Sequence, residues 1–138
     1  SAENIPPADN SVDVVLNVES CHAYGSVDTF LSEVKRVLNP GGYLLLVDFR
    51  DVKNMDLLRQ QLHNSGMEVL EEEDIAPNVV KAMEAEDDVK KERIRTLFPD
   101  GWQKLFGEFA GVVASRIHTN LKIKARLYHR FVVKKGSV

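Results

Sequence analysis

Val12-Asp13-Val14-Val15-Leu16-Asn17-Val18 opens a stretch that runs to Tyr43-Leu44-Leu45-Leu46-Val47-Asp48 and decides the fold. Val12, Val14, Val15, Leu16 and Val18 form a short apolar, β-branched run, and Tyr43 to Phe49 form another interrupted only by Asp48. Such runs fit strands buried on both faces. Between them Val27, Phe30, Leu31, Val34 and Leu38 fall at helical spacing, with Asp28, Glu33, Lys35 and Arg36 largely on the other sides. Ser26 is the expected N-cap, and Asn39-Pro40-Gly41-Gly42 is expected to end the helix as a turn. The unit reads β-α-β, which implies a right-handed crossover and parallel strands. Ligands of open parallel sheets bind beyond the carboxyl ends of the strands, so Glu19, His22, Asp48 and Arg50 share one rim.

Outward from this unit, Ser1 to Asn10 carries Pro6, Pro7, Asp9 and Asn10, the chemistry of a loop. Beyond it, Asp51 or Asn54 can cap a helix bearing Met55, Leu58 and Leu62, closed by Gly66. Val69 and Leu70, amid Glu68 and Glu71 to Asp74, read as a third strand near the sheet edge. From Asn78 a long helix is expected, with Glu86 to Lys90 and Asp87 to Lys91 at the i,i+4 spacing of supporting ion pairs. Phe98-Pro99-Asp100-Gly101 breaks it. A further helix carries Trp102, Leu105, Phe106, Phe109, Val112, Val113 and Ile117 on one face, and Arg126 to Lys134 reads as a last strand. The order is β-α-β-α-β, a helical insertion, then β. The first three strands are expected parallel and the last antiparallel.

The bulk properties narrow the class. A chain of 138 residues with 43% hydrophobic side chains suits one domain, residues 1–138. The net charge of −3 gives no basic footprint for nucleic acid. No apolar run approaches the roughly 20 residues of a membrane span, and no signal pattern opens the chain, so a soluble cytoplasmic protein is expected. The lone Cys21 excludes an intrachain disulfide and any zinc site built on several cysteines.

The run Asp13 to His22, then Phe30-Leu31, Glu33-Val34, Arg36-Val37-Leu38 and Pro40-Gly41-Gly42-Tyr43, then Asp48-Phe49-Arg50, resembles the second half of class I S-adenosylmethionine-dependent methyltransferases. Within them it is most similar to the phthiotriolone/phenolphthiotriolone dimycocerosate type. Glu73-Asp74-Ile75, Pro77-Asn78-Val79, Glu108 to Val112 and Ser115-Arg116-Ile117 fit the same subgroup, so the likeness covers nearly the whole chain. It implies a partial Rossmann-like sheet of family strands 4 to 7, with residues 78–121 as a helical cap. The resemblance implies that the family's Gly-rich loop and ribose-binding acid belong ahead of Ser1, and no G-x-G-x-G occurs in the sequence.

The resemblance implies methyl transfer from S-adenosylmethionine to a hydroxyl of a small hydrophobic acceptor. It places His22 and Glu19 at the transferred methyl, His22 as a base with an ordinary pKa near 6.5 and Glu19 orienting it or binding the acceptor. Ala2, Glu3 and Asn17 match cofactor-side positions, and Tyr24, Trp102, Phe106 and Phe109 match the acceptor pocket. An aromatic stripe at this spacing also serves as plain core. Glu19 with Asp48 as a cation-binding carboxylate pair ranks behind, and no metal is expected. Cys21 reads as a packed thiol. The cofactor is expected to bind this chain alone weakly or not at all. The competing function is a catalytically inactive remnant that binds a partner. On either reading the Val12 to Val18 edge, built for a sheet centre, is expected to be covered in a homodimer or by another partner.

Overall fold

In the computed structural model, residues 1–97, 101–102, 104–105 and 116–137 are described. They fall into two compact units, Ser1–Asp74 with Leu127–Val138, and Ile75–Arg126.

The first unit is built on a four-stranded sheet. Its elements are β1 (Val12–Val18), α1 (Val27–Val37), β2 (Leu38–Arg50), α2 (Val52–Asn64), β3 (Glu68–Asp74) and β4 (Leu127–Lys134). The spatial order is β1-β2-β4-β3. β1 and β2 are parallel, and β4 runs antiparallel between β2 and β3. The first three strands therefore share one direction and the last opposes them, as expected.

Both helices start on the residues that can cap them. Ser26 accepts the Thr29 N–H at 3.1 Å, and Asp51 accepts that of Asn54 at 2.8 Å. These side chains satisfy donors that a helix N-terminus leaves without partners. Phe30, Leu31 and Val34 of α1, with Met55, Leu58 and Leu62 of α2, then pack on Leu44 and Leu46 of β2 and Phe131 and Val133 of β4 in one buried cluster. Alternation along β2 sends Tyr43, Leu45, Val47 and Phe49 to the opposite face. By register, Val14, Leu16 and Val18 of β1 join them there, each more than half exposed.

Asn39 to Gly42 do not form a separate turn. α1 stops at Val37 because Leu38 is already extended (φ −63°, ψ 135°), and β2 begins there. Val12 pairs with Leu38 and Val14 with Tyr43, so four residues bulge out of β2 between these pairs. Gly41 takes the left-handed conformation (φ +80°), and a Cβ on Gly42 would stand 2.9 Å from the carbonyl oxygens of Asn39 and Asp13. Breakers read as the end of a helix serve here as a bulge within a strand.

The second unit is continuous in sequence. α3 (Ala76–Leu97) begins two residues ahead of the expected Asn78, since Pro77 is tolerated in a first turn. Its predicted Glu86–Lys90 and Asp87–Lys91 pairs form at 3.2 and 2.5 Å. Residues 116–122 are helical, and Glu84 receives both His118 and Lys122 at 2.8 Å. Residues 101–102 and 104–105 are also helical, whereas most of the expected Trp102 to Ile117 helix, Phe106 and Phe109 included, lies outside the described residues.

Candidate functional site

The parallel register brings the ends of β1 and β2 together, Val18 pairing with Val47, so Asp48 lies one residue past the last pair. β1 leaves its ladder through Glu19, whose N–H still donates to Val47 O at 2.8 Å while its φ of +49° turns the chain. A single 3-10 turn, Cys21–Ala23, follows. It sends Cys21 inward, fully buried, and leaves the His22 side chain 34% exposed.

Asp48 points into the core face and is fully buried. Its Oδ1 is 2.7 Å from His22 Nδ1. Its Oδ2 accepts the Cys21 thiol at 3.0 Å and an Arg50 NH2 donor at 3.3 Å, and the same Arg50 nitrogen donates to Cys21 Sγ at 3.1 Å. Convergent donors of this kind suit an ionised carboxylate, which only accepts. Nδ1 of His22 is placed to donate to it, an arrangement that in a neutral imidazole leaves the lone pair on Nε2. The His22 ring also lies 4.7 Å, centroid to centroid, from Phe49, which stacks on Tyr128 at 6.1 Å. Burial, then the Asp48 carboxylate beside it, pushes the Cys21 thiol up to about 12, so it is a neutral donor and no nucleophile. Arg50 is buried, and its Nε has no hydrogen-bond partner.

Glu19 stands apart. It is exposed and makes no side-chain hydrogen bond or ion pair among the described residues, and the carboxylate that His22 meets is that of Asp48. The Glu19–Asp48 pairing is not formed either, because the Asp48 oxygens are occupied by His22, Cys21 and Arg50. The described residues hold no cluster of three or more His, Cys, Asp or Glu side chains suited to a metal. An acid interrupting an apolar run at a strand end was the available sign of Asp48. Its pairing with His22 depends on the strand register, which the sequence does not show.

A second polar group ends β1. Asn17 Nδ2 donates to the Tyr24 hydroxyl at 2.7 Å, Ser20 Oγ lies 2.9 Å from the same hydroxyl, and the Tyr24 ring meets Phe30 edge-on at 5.0 Å. Tyr24 is thus fixed at both ends. Asn17 is buried, and its Oδ1 lacks a partner, an unfilled acceptor of the kind a bound donor satisfies. Glu3 accepts the Ser26 N–H at 2.9 Å, beside the entry to α1, and Ala2 packs against the core. With Glu3 committed and no Gly-rich turn in the sequence, these residues fit one margin of a cofactor site, not a whole one. Trp102 is 56% exposed.

Residues 1–46, which span β1, α1 and most of β2, match the methyltransferase-domain family. Phthiotriol/phenolphthiotriol dimycocerosates methyltransferase 1 of Mycobacterium ulcerans is 43% identical over 83 residues, covering 60% of this chain and 31% of the relative. The fatty-acid O-methyltransferase of Mycolicibacterium smegmatis is 41% identical over 83 residues, covering 60% of this chain and 30% of the relative. Among solved structures, phosphoethanolamine N-methyltransferase 2 of Haemonchus contortus, in complex with S-adenosyl-L-methionine, aligns with a TM-score of 0.79 at 16% identity. That alignment covers 99% of this chain and 36% of the other. The fold is accordingly Rossmann-like, and the chain spans about a third of the length of these two curated relatives. S-adenosylmethionine is the cofactor expected of such a sequence. By sequence and fold, the chain is similar to the S-adenosylmethionine-dependent methyltransferases, and within them to the phthiotriol/phenolphthiotriol dimycocerosates methyltransferases.

Proposed function

We propose that this chain supplies the acceptor side of an O-methyltransferase acting on a small hydrophobic hydroxylated molecule. The observation that carries the reading is the 2.7 Å contact between His22 Nδ1 and the fully buried Asp48. A hydroxyl that takes a methyl group must lose its proton, and a neutral imidazole with its Nδ1–H held by a carboxylate offers Nε2 to receive it. His22 is the proposed base and Asp48 its orienting partner, with Glu19 left to meet the acceptor from its exposed position. The two similar relatives, a phthiotriol/phenolphthiotriol dimycocerosates methyltransferase and a fatty-acid O-methyltransferase, support an apolar oxygen acceptor. The cytoplasm is the proposed compartment.

The cofactor's Gly-rich anchor is proposed to come from sequence outside these 138 residues. Titration calorimetry with S-adenosylmethionine tests this: weak or absent binding is expected, and micromolar binding by the chain itself overturns it. For the base, the measurement is methyl transfer by a fusion of this chain to the remaining portion of the M. ulcerans relative. His22→Ala should lower kcat by about 10²-fold or more. An active fusion indifferent to that change removes His22 from the role.

A second reading rests on β1. It is an edge strand, and Val14, Leu16 and Val18 are 53%, 67% and 51% exposed on it. Bare apolar edges invite pairing, which favours a partner-binding module or homodimer joined at Val12–Val18. Sedimentation equilibrium should show self-association weakened by Leu16→Lys. A monomer at all concentrations, with no strand partner, rejects the homodimer.

A further inference from the structure

Resting on the reading of His22 as the base, the arrangement behind it assigns two more residues. A carboxylate can rotate, and either oxygen could face an imidazole. Here the two oxygens are given different work. Oδ1 serves His22, and Oδ2 is held from within by the Cys21 thiol and the Arg50 guanidinium, which also contact each other. Cys21 is fully buried, and the Arg50 side chain is 8% exposed. Arg50 leaves its buried Nε without a partner while one terminal nitrogen touches both Asp48 and Cys21. A side chain placed only to satisfy itself would use that donor. Both residues lie behind Asp48, buried and in contact with each other, and neither is explained by proton transfer itself.

We propose that Cys21 and Arg50 are positioning residues, clamping Asp48 Oδ2 so that Oδ1 fixes His22 in its Nδ1–H tautomer and leaves Nε2 facing outward as the acceptor. The two elements that meet here supply everything the clamp needs. The 3-10 turn after β1 brings the adjacent Cys21, buried, and His22, partly exposed, to the two oxygens of Asp48, and β2 brings Asp48 and Arg50 on the same face two residues apart. Cys21, often read as a small packing residue, is a hydrogen-bond donor at this point, and its raised affinity for its proton keeps it one.

The test needs neither cofactor nor acceptor. Long-range proton–nitrogen correlation NMR on the 138-residue chain, near pH 8.5, reads the tautomer of each neutral histidine, with His22 assigned by its loss in His22→Gln. In the unmodified chain the Nδ1–H form of His22 should exceed the other by about tenfold, the size of effect a charge-assisted hydrogen bond gives. Cys21→Ala and Arg50→Met should each reduce that excess several-fold in a chain that stays folded, whereas Cys21→Ser and Arg50→Lys, which retain a donor, should restore most of it. If Arg50→Met does not fold, the comparison of Cys21→Ala with Cys21→Ser decides. An unchanged Nδ1–H excess in folded Cys21→Ala and Arg50→Met overturns the clamp while leaving the base role intact. An Nε2–H tautomer in the unmodified chain overturns both. Loss of the kcat effect of His22→Ala in the fusion, with the tautomer responses as expected, overturns the base role alone.

Discussion

Asp48 on β2 and His129 on β4 are register partners on the same face of the sheet, yet they turn to opposite neighbours. Asp48 bonds His22 beyond β1, and His129 bonds Glu72 on β3, each at 2.7 Å. In the first pair the acid is buried and the imidazole emerges. In the second the imidazole is buried and the acid is 30% exposed and shared with Arg59. The two pairs should therefore fail differently. Asp48→Ala strands Arg50 in the interior and should cost about 3–5 kcal/mol. His129→Ala should cost about 1–2 kcal/mol, since Glu72 keeps Arg59 and part of its hydration. Urea unfolding of the two variants provides the comparison.

Cys21 should behave as a thiol that does not ionise. With a folded value of about 12 against an ordinary 9.0, its thiolate population below pH 9 is about 10³-fold under that of a free thiol. Disulfide-exchange reagents at pH 8 should modify it slower by about that factor until the chain unfolds. The folded value is the higher one, so the thiol's contribution to stability is complete below pH 9 and declines as pH rises toward 12. Cys21→Ala should flatten that alkaline decline.

Glu33 anchors the segment ahead of β1. Two hydrogen bonds from Arg36, then the Ile5 N–H, hold its carboxyl down at about 2. Arg36 extends the tether to the carbonyls of Ile5 and Pro7 and to Asp9. A lowered carboxyl contributes above its ordinary value of 4.5 and loses that contribution as pH falls toward 2. Protection of the Ile5 N–H, taken as its exchange rate relative to the intrinsic rate at each pH, should fall across that range. Glu33→Gln should remove the pH dependence and leave Ile5 unprotected at neutral pH.

Gly42 and Gly25 both face an oxygen at 2.9 Å where a Cβ would stand, but the oxygens differ in freedom. At Gly42 they are the backbone carbonyls of Asn39 and Asp13, fixed by the bulge and the strand. At Gly25 the oxygen belongs to the Glu3 side chain, which can swing away. Gly42→Ala should destabilise by about 1–3 kcal/mol, whereas Gly25→Ala should cost little beyond the Glu3–Ser26 bond. Thermal unfolding of the two single variants distinguishes them.

The β-α-β unit was legible because its signals are local: β-branched runs, an apolar stripe from Val27 to Val34, and a capping serine. The orientation of β4 was not legible from sequence pattern; the antiparallel expectation came with the family resemblance, and the pairing with β2 and β3 decides it. Asn39 to Gly42 were misplaced because proline and glycines mark a departure from regular backbone without saying whether the chain turns or bulges. Only pairing of Val12 with Leu38 and Val14 with Tyr43 decides that. The site divides the same way. His22 could be put on the rim from its position after a strand, and so could Asp48 and Arg50. Which acid faces which base follows from the inward and outward alternation of the Cys21–Ala23 turn, a property of three residues with no pattern to read. Tyr24 was marked as an acceptor contact, and its hydroxyl is held by Asn17 and Ser20.

The two margins of the sheet are chemically unlike. β3 is exposed along its whole length and carries Glu68, Glu71, Glu72, Glu73 and Asp74, a row of like charge that repels another strand of its kind. β1 presents valine and leucine. The four described strands thus end in one margin that admits a further strand and one that turns strands away, so whatever extends this sheet, a second copy or another stretch of polypeptide, is directed to the β1 side.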